Sequence, residues 1–140
     1  MGVIQEGLHT IHGKNLKSVA LKIDLSKAYD RVSWTYLRFL LSKMGFSRLF
    51  ISWVMSSLTS VSFVVLINGV ASTFFKAWRG LIQGCPLAPL HFLIIAEGLS
   101  RAIYCTKDEG VYHGISFENN ISLTHILFVD DVIMIVDGSE

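Results

Sequence analysis

The sequence predicts an α+β fold, in which an antiparallel sheet carries helices packed on one face. In residues 19–25, large apolar side chains alternate with Ala20, Lys22 and Asp24, which is the period of a half-buried strand. Residues 89–107 repeat apolar side chains at the spacing of a helix that buries one face. Strand-like runs lie on both sides of Asn68-Gly69, as in an antiparallel hairpin.

The predicted elements follow one another without a linker or an internal repeat. In chain order they are a helix at 3–12, a strand at 19–25, helices at 34–44 and 47–58, strands at 61–67 and 70–78, a loop at 79–86, a helix at 89–107, and strands at 111–117, 124–129 and 132–136. The alternation in the first strand turns Asp24 away from the core side. Ser33 is suited to cap the helix that follows, and Gly45 is suited to end it.

Turn residues define the later elements. Asn68-Gly69 is a strong two-residue hairpin pattern. Gly80 and Gly84 let the backbone of the following loop approach a ligand closely. Pro89 then suits the first turn of the long helix.

The composition is unusual for an independent enzyme. Of the 140 residues, 51% are apolar and 16% are charged, whereas soluble domains average about 25% charged residues. A chain of this length accommodates one domain with its own core. The low charge predicts that much of the surface is covered in a larger protein, or that the chain enters a membrane.

The stretch between Arg48 and Lys76 bears on the membrane alternative, since it has no charged residue and is long enough to span a bilayer. Its apolar pattern changes from helical before Thr59 to strand-like after it, with Asn68-Gly69 near the centre. We therefore expect a helix and a hairpin there, not a membrane span. The first residues lack the apolar run of a secretory signal, which predicts a protein that is not secreted.

The charge and the cysteines restrict the function further. A formal net charge of +1 is not that of a nucleic-acid-binding surface. If the chain acts on nucleic acid, other segments must supply the basic patches that hold phosphates. Cys85 and Cys105 provide neither a disulfide framework nor the spacing of a zinc site.

Acidic residues follow apolar strands at two distant places. Asp24 ends the first strand, and Asp130-Asp131 lie at the tip of the last hairpin, after a turn predicted at Asn119-Asn120. Carboxylates at the ends of buried strands are costly unless a cation or hydrogen bonds hold them, and hard divalent ions prefer oxygen ligands. The pattern predicts a carboxylate cluster for a pair of ions that drives displacement at phosphorus. The alternative is that aspartate stands at a hairpin tip because it tolerates turn geometry.

Three segments resemble the motifs of one polymerase family. Residues 22–32, KIDLSKAYDRV, resemble motif A of non-LTR (LINE-type) retrotransposon reverse transcriptases, and the plant type in particular. Residues 79–89, RGLIQGCPLAP, resemble motif B, and residues 128–131, FVDD, resemble motif C. The resemblance covers nearly the whole chain. It implies a partial polymerase palm with a little of the fingers, with residues 1–140 as a single domain.

The resemblance implies a catalytic role for three carboxylates. Asp24 and Asp130 match the family's main metal-binding aspartates, and Asp131 matches the second acid of motif C. The implied cofactors are two Mg²⁺ ions, for which Mn²⁺ can substitute.

The resemblance also implies a nucleotide-binding set. Leu25 matches a position whose backbone lies near the triphosphate, and Tyr29 matches the aromatic gate that excludes a 2′-hydroxyl. Gln83 and Gly84 match the loop that touches the nucleotide and the template. The implied partners are an RNA template, a DNA primer and deoxynucleoside triphosphates, with no membrane.

The sequence departs from the family pattern at Cys85, where aspartate is usual, and at Ala88 and Val129. The later palm motifs, the thumb and most of the fingers are not among these residues, so those segments or another protein are expected as partners. The leading hypothesis is the palm of an RNA-directed DNA polymerase, located in the nucleus or cytoplasm. The alternatives are a non-catalytic remnant of a decayed retroelement and, with less support, a two-metal nuclease.

Overall fold

The computed structural model describes residues 18–111, 113–116 and 122–137. They belong to two compact units. Unit 1 contains residues 18–26 and 99–137, and unit 2 is Lys27–Gly98. The helix predicted at 3–12 and the turn predicted at 119–120 lie outside the described residues. The single domain remains a prediction.

Unit 1 is built on a three-stranded antiparallel sheet. Its strands are β1 (Ser18–Asp24), β8 (His125–Phe128) and β9 (Asp131–Asp137), in the order β1-β9-β8. Every residue of β1 has a partner in β9. Two shorter strands, β6 (Ile115–Ser116) and β7 (Ser122–Leu123), pair beside them. The strands predicted at 19–25, 124–129 and 132–136 are present, with ends that differ by one residue. The half-buried character expected of the first strand is not observed, because Val19, Leu21 and Ile23 are exposed.

Unit 2 contains helices α1 (Trp34–Lys43) and α2 (Arg48–Thr59). Ser33 caps α1 as predicted, since its hydroxyl accepts a hydrogen bond from the Tyr36 amide. Ser47, which was predicted to lie within the second helix, caps α2 in the same way by accepting one from the Phe50 amide. Gly45 follows α1 with a φ of +84°, a conformation that suits glycine. The core of the unit consists of nine buried residues: Val32, Leu37, Leu41, Ile51, Val54, Leu58, Leu81, Ala88 and Phe92.

The hairpin predicted about Asn68-Gly69 is present but interrupted. Its outer ladder joins β2 (Ser62–Phe63) to β5 (Phe75–Lys76), and its inner ladder joins β3 (Leu66–Ile67) to β4 (Val70–Ala71). Asn68 and Gly69 both have positive φ, as a type I′ hairpin turn requires.

A serine side chain marks the interruption. The Ser72 amide donates to the Val65 carbonyl, but the Val65 amide donates to the Ser72 hydroxyl and not to a backbone carbonyl. Because a side chain replaces a main-chain partner, the two continuous strands predicted at 61–67 and 70–78 are divided into shorter pieces.

Helix α3 (Ala88–Asp108) begins in unit 2 and ends in unit 1. In unit 1 the Ser100 hydroxyl lies 2.8 Å from Nε2 of His125, and the Tyr104 ring meets the His125 ring edge-on. These contacts hold the last turns of α3 against strand β8. No helix in the described ranges is long and apolar enough to cross a membrane.

Candidate active site

Two of the predicted carboxylates face each other at one end of the sheet in unit 1. Asp24 is the last residue of β1, and it lies directly opposite Asp131, the first residue of β9. Opposed residues in antiparallel strands have Cα atoms about 4.5–5.5 Å apart, and their side chains share one face of the sheet. The structure therefore brings these two acids together, although they are far apart in the sequence.

The turn between β8 and β9 brings the third carboxylate to the same end of the sheet. Phe128 pairs with Asp131, which leaves Val129 and Asp130 as the two turn residues. The Leu25 amide donates to the Asp130 carbonyl at 2.7 Å, and this bond ties the end of β1 to the turn. The tip predicted at Asp130-Asp131 is therefore displaced by one residue, because Asp131 already belongs to the strand.

The backbone of this turn is strained. Val129 has a φ of +51°, in the left-handed region. A β-branched side chain is an outlier there, and the left-handed conformation costs a non-glycine residue about 1–2 kcal/mol. Such strain persists where surrounding bonds enforce it, and it concentrates at functional sites.

Lys22 lies beside these acids, and the family motifs give it no role in the site. Its Nζ lies 2.9 Å from Oδ2 of Asp131. This hydrogen bond raises the pKa of Lys22, the charge of Asp131 raises it further, and the charges of Asp24 and Asp130 add smaller effects in the same direction. Lys22 lies two residues before Asp24 on the strand, so the period-two alternation of β1 could have predicted that the two side chains share a face.

The donor chemistry at this end of the sheet fits a hard divalent cation. Within the described part of the chain, no group of three or more His, Cys, Asp or Glu side chains is arranged to hold a metal ion. Mg²⁺ commonly binds through one or two carboxylates and completes its shell with water and substrate phosphates. The positively charged Lys22 ammonium already lies beside the Asp131 carboxylate. Asp24 and Asp131, which face each other, are the residues that would hold such an ion, with Asp130 beside them.

In unit 2, the loop that resembles motif B is fastened to the second half of the motif A segment and to Trp34 just after it. The Gly80 amide donates to the Val32 carbonyl, and the Leu81 amide donates to the Tyr29 carbonyl, both at 2.8 Å. The indole N–H of Trp34 donates to the Gly80 carbonyl at 2.6 Å. Three bonds over this short stretch fix the start of the loop.

The two loop glycines differ in their surroundings. Gly80 has a φ of +92°, and a Cβ there would come within 2.8 Å of the Asp30 carbonyl oxygen. Gly84 has a φ of +88°, but a Cβ there would meet nothing within 4 Å. Between them, Gln83 donates from its side-chain amide to Oδ1 of Asp30 at 3.2 Å. The loop thus has a packed beginning and an open end.

The ring of Tyr29 is partly engaged within unit 2. It stacks on Phe92 with a centroid distance of 4.6 Å and an interplanar angle of 8°. Tyr29 is half-buried, so one face of its ring belongs to the core and the remainder is accessible. Its predicted action as a nucleotide gate stays a prediction.

Residues 2–140 match the reverse transcriptase (RNA-dependent DNA polymerase) family. The chain belongs to this family. The match includes all three motif-like segments and confirms the polymerase resemblance.

Similar proteins include products of mobile elements. The chain is 26% identical over 133 residues to the transposon TX1 uncharacterized 149 kDa protein of Xenopus laevis, covering 95% of this chain and 10% of that protein. It is 25% identical over 130 residues to the retrovirus-related Pol polyprotein from type-1 retrotransposable element R2 of Popillia japonica, covering 93% and 20%. An uncharacterized mitochondrial protein of Arabidopsis thaliana is 37% identical over 67 residues, covering 47% of this chain and 55% of that protein. These relatives confirm the predicted likeness to non-LTR retrotransposon reverse transcriptases, and this chain spans a fraction of their length.

A solved structure shows the same fold. Apo telomerase from Candida tropicalis, truncated from its C-terminal domain, aligns with a TM-score of 0.64 and 16% identity over 98% of this reverse transcriptase chain and 28% of the telomerase chain. The predicted α+β architecture of a partial polymerase palm is confirmed.

Proposed function

We propose that this chain is the palm portion of an RNA-directed DNA polymerase, in which Asp24, Asp130 and Asp131 hold two Mg²⁺ ions for nucleotidyl transfer. The observation that supports this most is the position of Asp24 directly opposite Asp131 at the end of the sheet, in a chain of the reverse transcriptase family. Bound ions would supply the Lewis acidity that such displacement at phosphorus uses.

The residues of the chain have separate tasks in this proposal. Asp24 and Asp131 present their carboxylates from one face of the sheet, which is the side from which a triphosphate would approach. The Leu25 amide is fixed by its bond to Asp130, so the backbone beside the acids is held in place for the nucleotide.

The loop residues and Tyr29 would select and position the nucleotide. A flat tyrosine ring backed by Phe92 is rigid enough to reject an additional hydroxyl by steric clash. Gln83 and the open backbone at Gly84 are exposed, and a base pair would meet them once the Gln83 amide leaves Oδ1 of Asp30. An RNA template, a DNA primer and deoxynucleoside triphosphates are the proposed substrates. The net charge of +1 implies that other protein segments supply most of the contacts to the phosphate backbone.

Calorimetry of Mg²⁺-dependent deoxynucleoside triphosphate binding tests the site directly. We expect the chain to bind the nucleotide in the presence of Mg²⁺. Asp24→Asn and Asp131→Asn should weaken binding by at least the roughly 10–100-fold that loss of a residue supporting a metal ligand costs, because these two acids are the proposed ligands. Asp108→Asn removes one exposed carboxylate at the end of α3 and serves as the matched control. Equal binding by all the variants would show that the acids are wrongly assigned.

Primer extension on an RNA template distinguishes the proposal from its alternative. Cys85, which replaces the usual aspartate beside the nucleotide loop, favours a remnant without polymerase activity of its own. Within a full-length protein that restores the segments for phosphate contacts, a catalytic palm extends the primer with Mg²⁺ or Mn²⁺ and loses this activity on Asp24→Asn or Asp130→Asn. A remnant neither extends the primer nor binds the nucleotide, even though its aspartates are intact.

A further inference from the structure

We propose that the Lys22 ammonium is the counter-ion of the acids at this end of the sheet, and that a divalent ion must displace it in order to bind. Lys22 therefore raises the metal concentration at which the site fills. This inference rests on the proposed metal site at Asp24 and Asp131. It concerns a residue outside the set of metal ligands, and it follows from the position of one ammonium group.

The strand geometry places the three side chains on the same face. Lys22 and Asp24 are two residues apart on β1, and Asp131 is the cross-strand partner of Asp24. Lys22 and Asp131 are therefore diagonal neighbours, a separation of about 7–8 Å between backbones that a long side chain spans. The observed 2.9 Å contact between Nζ and Oδ2 shows that the lysine does span it.

An ammonium and a divalent ion cannot both use this end of the sheet at low cost. The contact occupies Oδ2, one of the two oxygens through which Asp131 could bind a metal. A metal ion on the other oxygen would lie within a few ångströms of the ammonium, a distance at which like charges repel even near solvent. Metal binding must therefore break or lengthen the ion pair.

Displacing the Lys22 ammonium from Asp131 costs little free energy, because the lysine side chain is exposed to water. The Lys22 side chain is 64% exposed and the Asp131 side chain is 28% exposed. Exposed ion pairs contribute little, and the long lysine stem can move into water. The expected result is a moderate weakening of metal binding, with a strong dependence on salt.

Mn²⁺ binding to the whole chain, followed by the electron paramagnetic resonance of free Mn²⁺, tests the proposal without any measurement of activity. At low ionic strength, Lys22→Met should tighten the apparent dissociation constant about threefold to fivefold, the effect of removing one exposed unit charge. Lys22→Arg keeps the charge and should match the wild-type chain. Lys76→Met removes the same charge from strand β5 of unit 2 and should also match it.

The possible results separate this inference from the function on which it rests. If the wild-type chain binds Mn²⁺ and Lys22→Met binds it no more tightly, Lys22 is a surface ion pair without influence on the metal and the inference is wrong. If Asp24→Asn combined with Asp131→Asn binds Mn²⁺ as well as the wild type, the metal site is wrong and the inference fails with it. If high salt abolishes the difference between Lys22→Met and the wild type, the charge repulsion is confirmed. Thermal unfolding of each variant shows that the compared proteins are folded.

Discussion

At the scale of single residues, the candidate site depends on two contacts across the sheet: Asp24 lies opposite Asp131, and the Lys22 ammonium pairs with the Asp131 carboxylate. The positions of Asp24 at a strand end and of Asp130 in the last hairpin turn could be predicted, because each follows an apolar run. The contact of Lys22 with Asp131 could not be predicted from local sequence, because it depends on the pairing of β1 with β9. The stacking of Tyr29 on Phe92 likewise depends on residues that are distant in the chain.

Val129 provides a residue-scale prediction. Val129→Asn should raise the free energy of unfolding by about 1 kcal/mol, because asparagine tolerates the left-handed conformation that valine resists. Little packing would be lost, since Val129 is 61% exposed. Urea unfolding measures the change. Val70→Asn, at an exposed valine without positive φ, is the control and should not stabilise the protein. A destabilised Val129→Asn variant would show that the turn is not strained.

The loop glycines provide a second prediction. Gly80→Ala should lower the free energy of unfolding by about 3 kcal/mol, because the methyl group adds a clash with the Asp30 backbone to the strain of a positive φ. Gly84→Ala has the same backbone strain without the clash, so a loss of about 1 kcal/mol is expected. Chemical denaturation of both variants gives the difference. Equal losses would contradict the close approach at Gly80.

At the scale of elements, the helices were predictable because their ends are encoded locally. Ser33 and Ser47 accept hydrogen bonds from the first turns of α1 and α2, and Gly45 ends α1 in a conformation that suits glycine. The hairpin turn could also be predicted locally, because Asn68 and Gly69 themselves adopt the positive φ that the turn needs. The break in the hairpin strands could not be predicted, because the apolar alternation does not reveal that the Ser72 hydroxyl accepts a hydrogen bond from the Val65 amide.

The contact of α3 with β8 predicts a pH dependence. His125 lies between Ser100 and Thr124, each 2.8 Å from a ring nitrogen, and burial lowers the pKa of His125. Burial also lowers the pKa of His91 in unit 2. A histidine with a depressed pKa in the folded state is protonated first in the unfolded chain, so its stabilising effect is present above about pH 6.5 and is lost as the pH falls.

Unfolding experiments at pH 7.5 and pH 5.5 check this expectation. The wild-type chain should be less stable at the lower pH. His125→Gln keeps a hydrogen-bonding side chain but cannot take up a proton, so its stability should change less between the two conditions. A wild-type chain with the same stability at both pH values would be inconsistent with histidines at these two positions that stay neutral in the folded state.

At the scale of the whole molecule, the apolar composition appears as exposed side chains. Unit 2 has an open groove of about 750 Å³ between α1, α2 and α3, lined mainly by apolar residues. Trp53 and Leu93 in this groove are 63% and 62% exposed. Contiguous apolar surface of this kind promotes association. The low fraction of charged residues in the sequence thus corresponds to an exposed apolar groove in the structure.

Sedimentation of groove variants tests this surface. Trp53→Gln combined with Leu93→Gln should reduce self-association and leave the unfolding free energy nearly unchanged, because both side chains are largely in water. Leu66→Gln changes a similarly exposed apolar side chain of the hairpin and is the matched comparison. If Leu66→Gln yields monomers and the groove variant does not, the chain associates through the hairpin and not through the groove.

The pairing of β1 with β9 has a consequence for which mutations the chain can tolerate. Side chains along a strand alternate between faces, so a shift of one residue between these two strands would move Asp24 to the face opposite Asp131. Single-codon insertions or deletions inside either strand should therefore abolish the paired acids even when every aspartate is retained. Similar length changes at the exposed tip of the 66–71 hairpin would leave the pair intact.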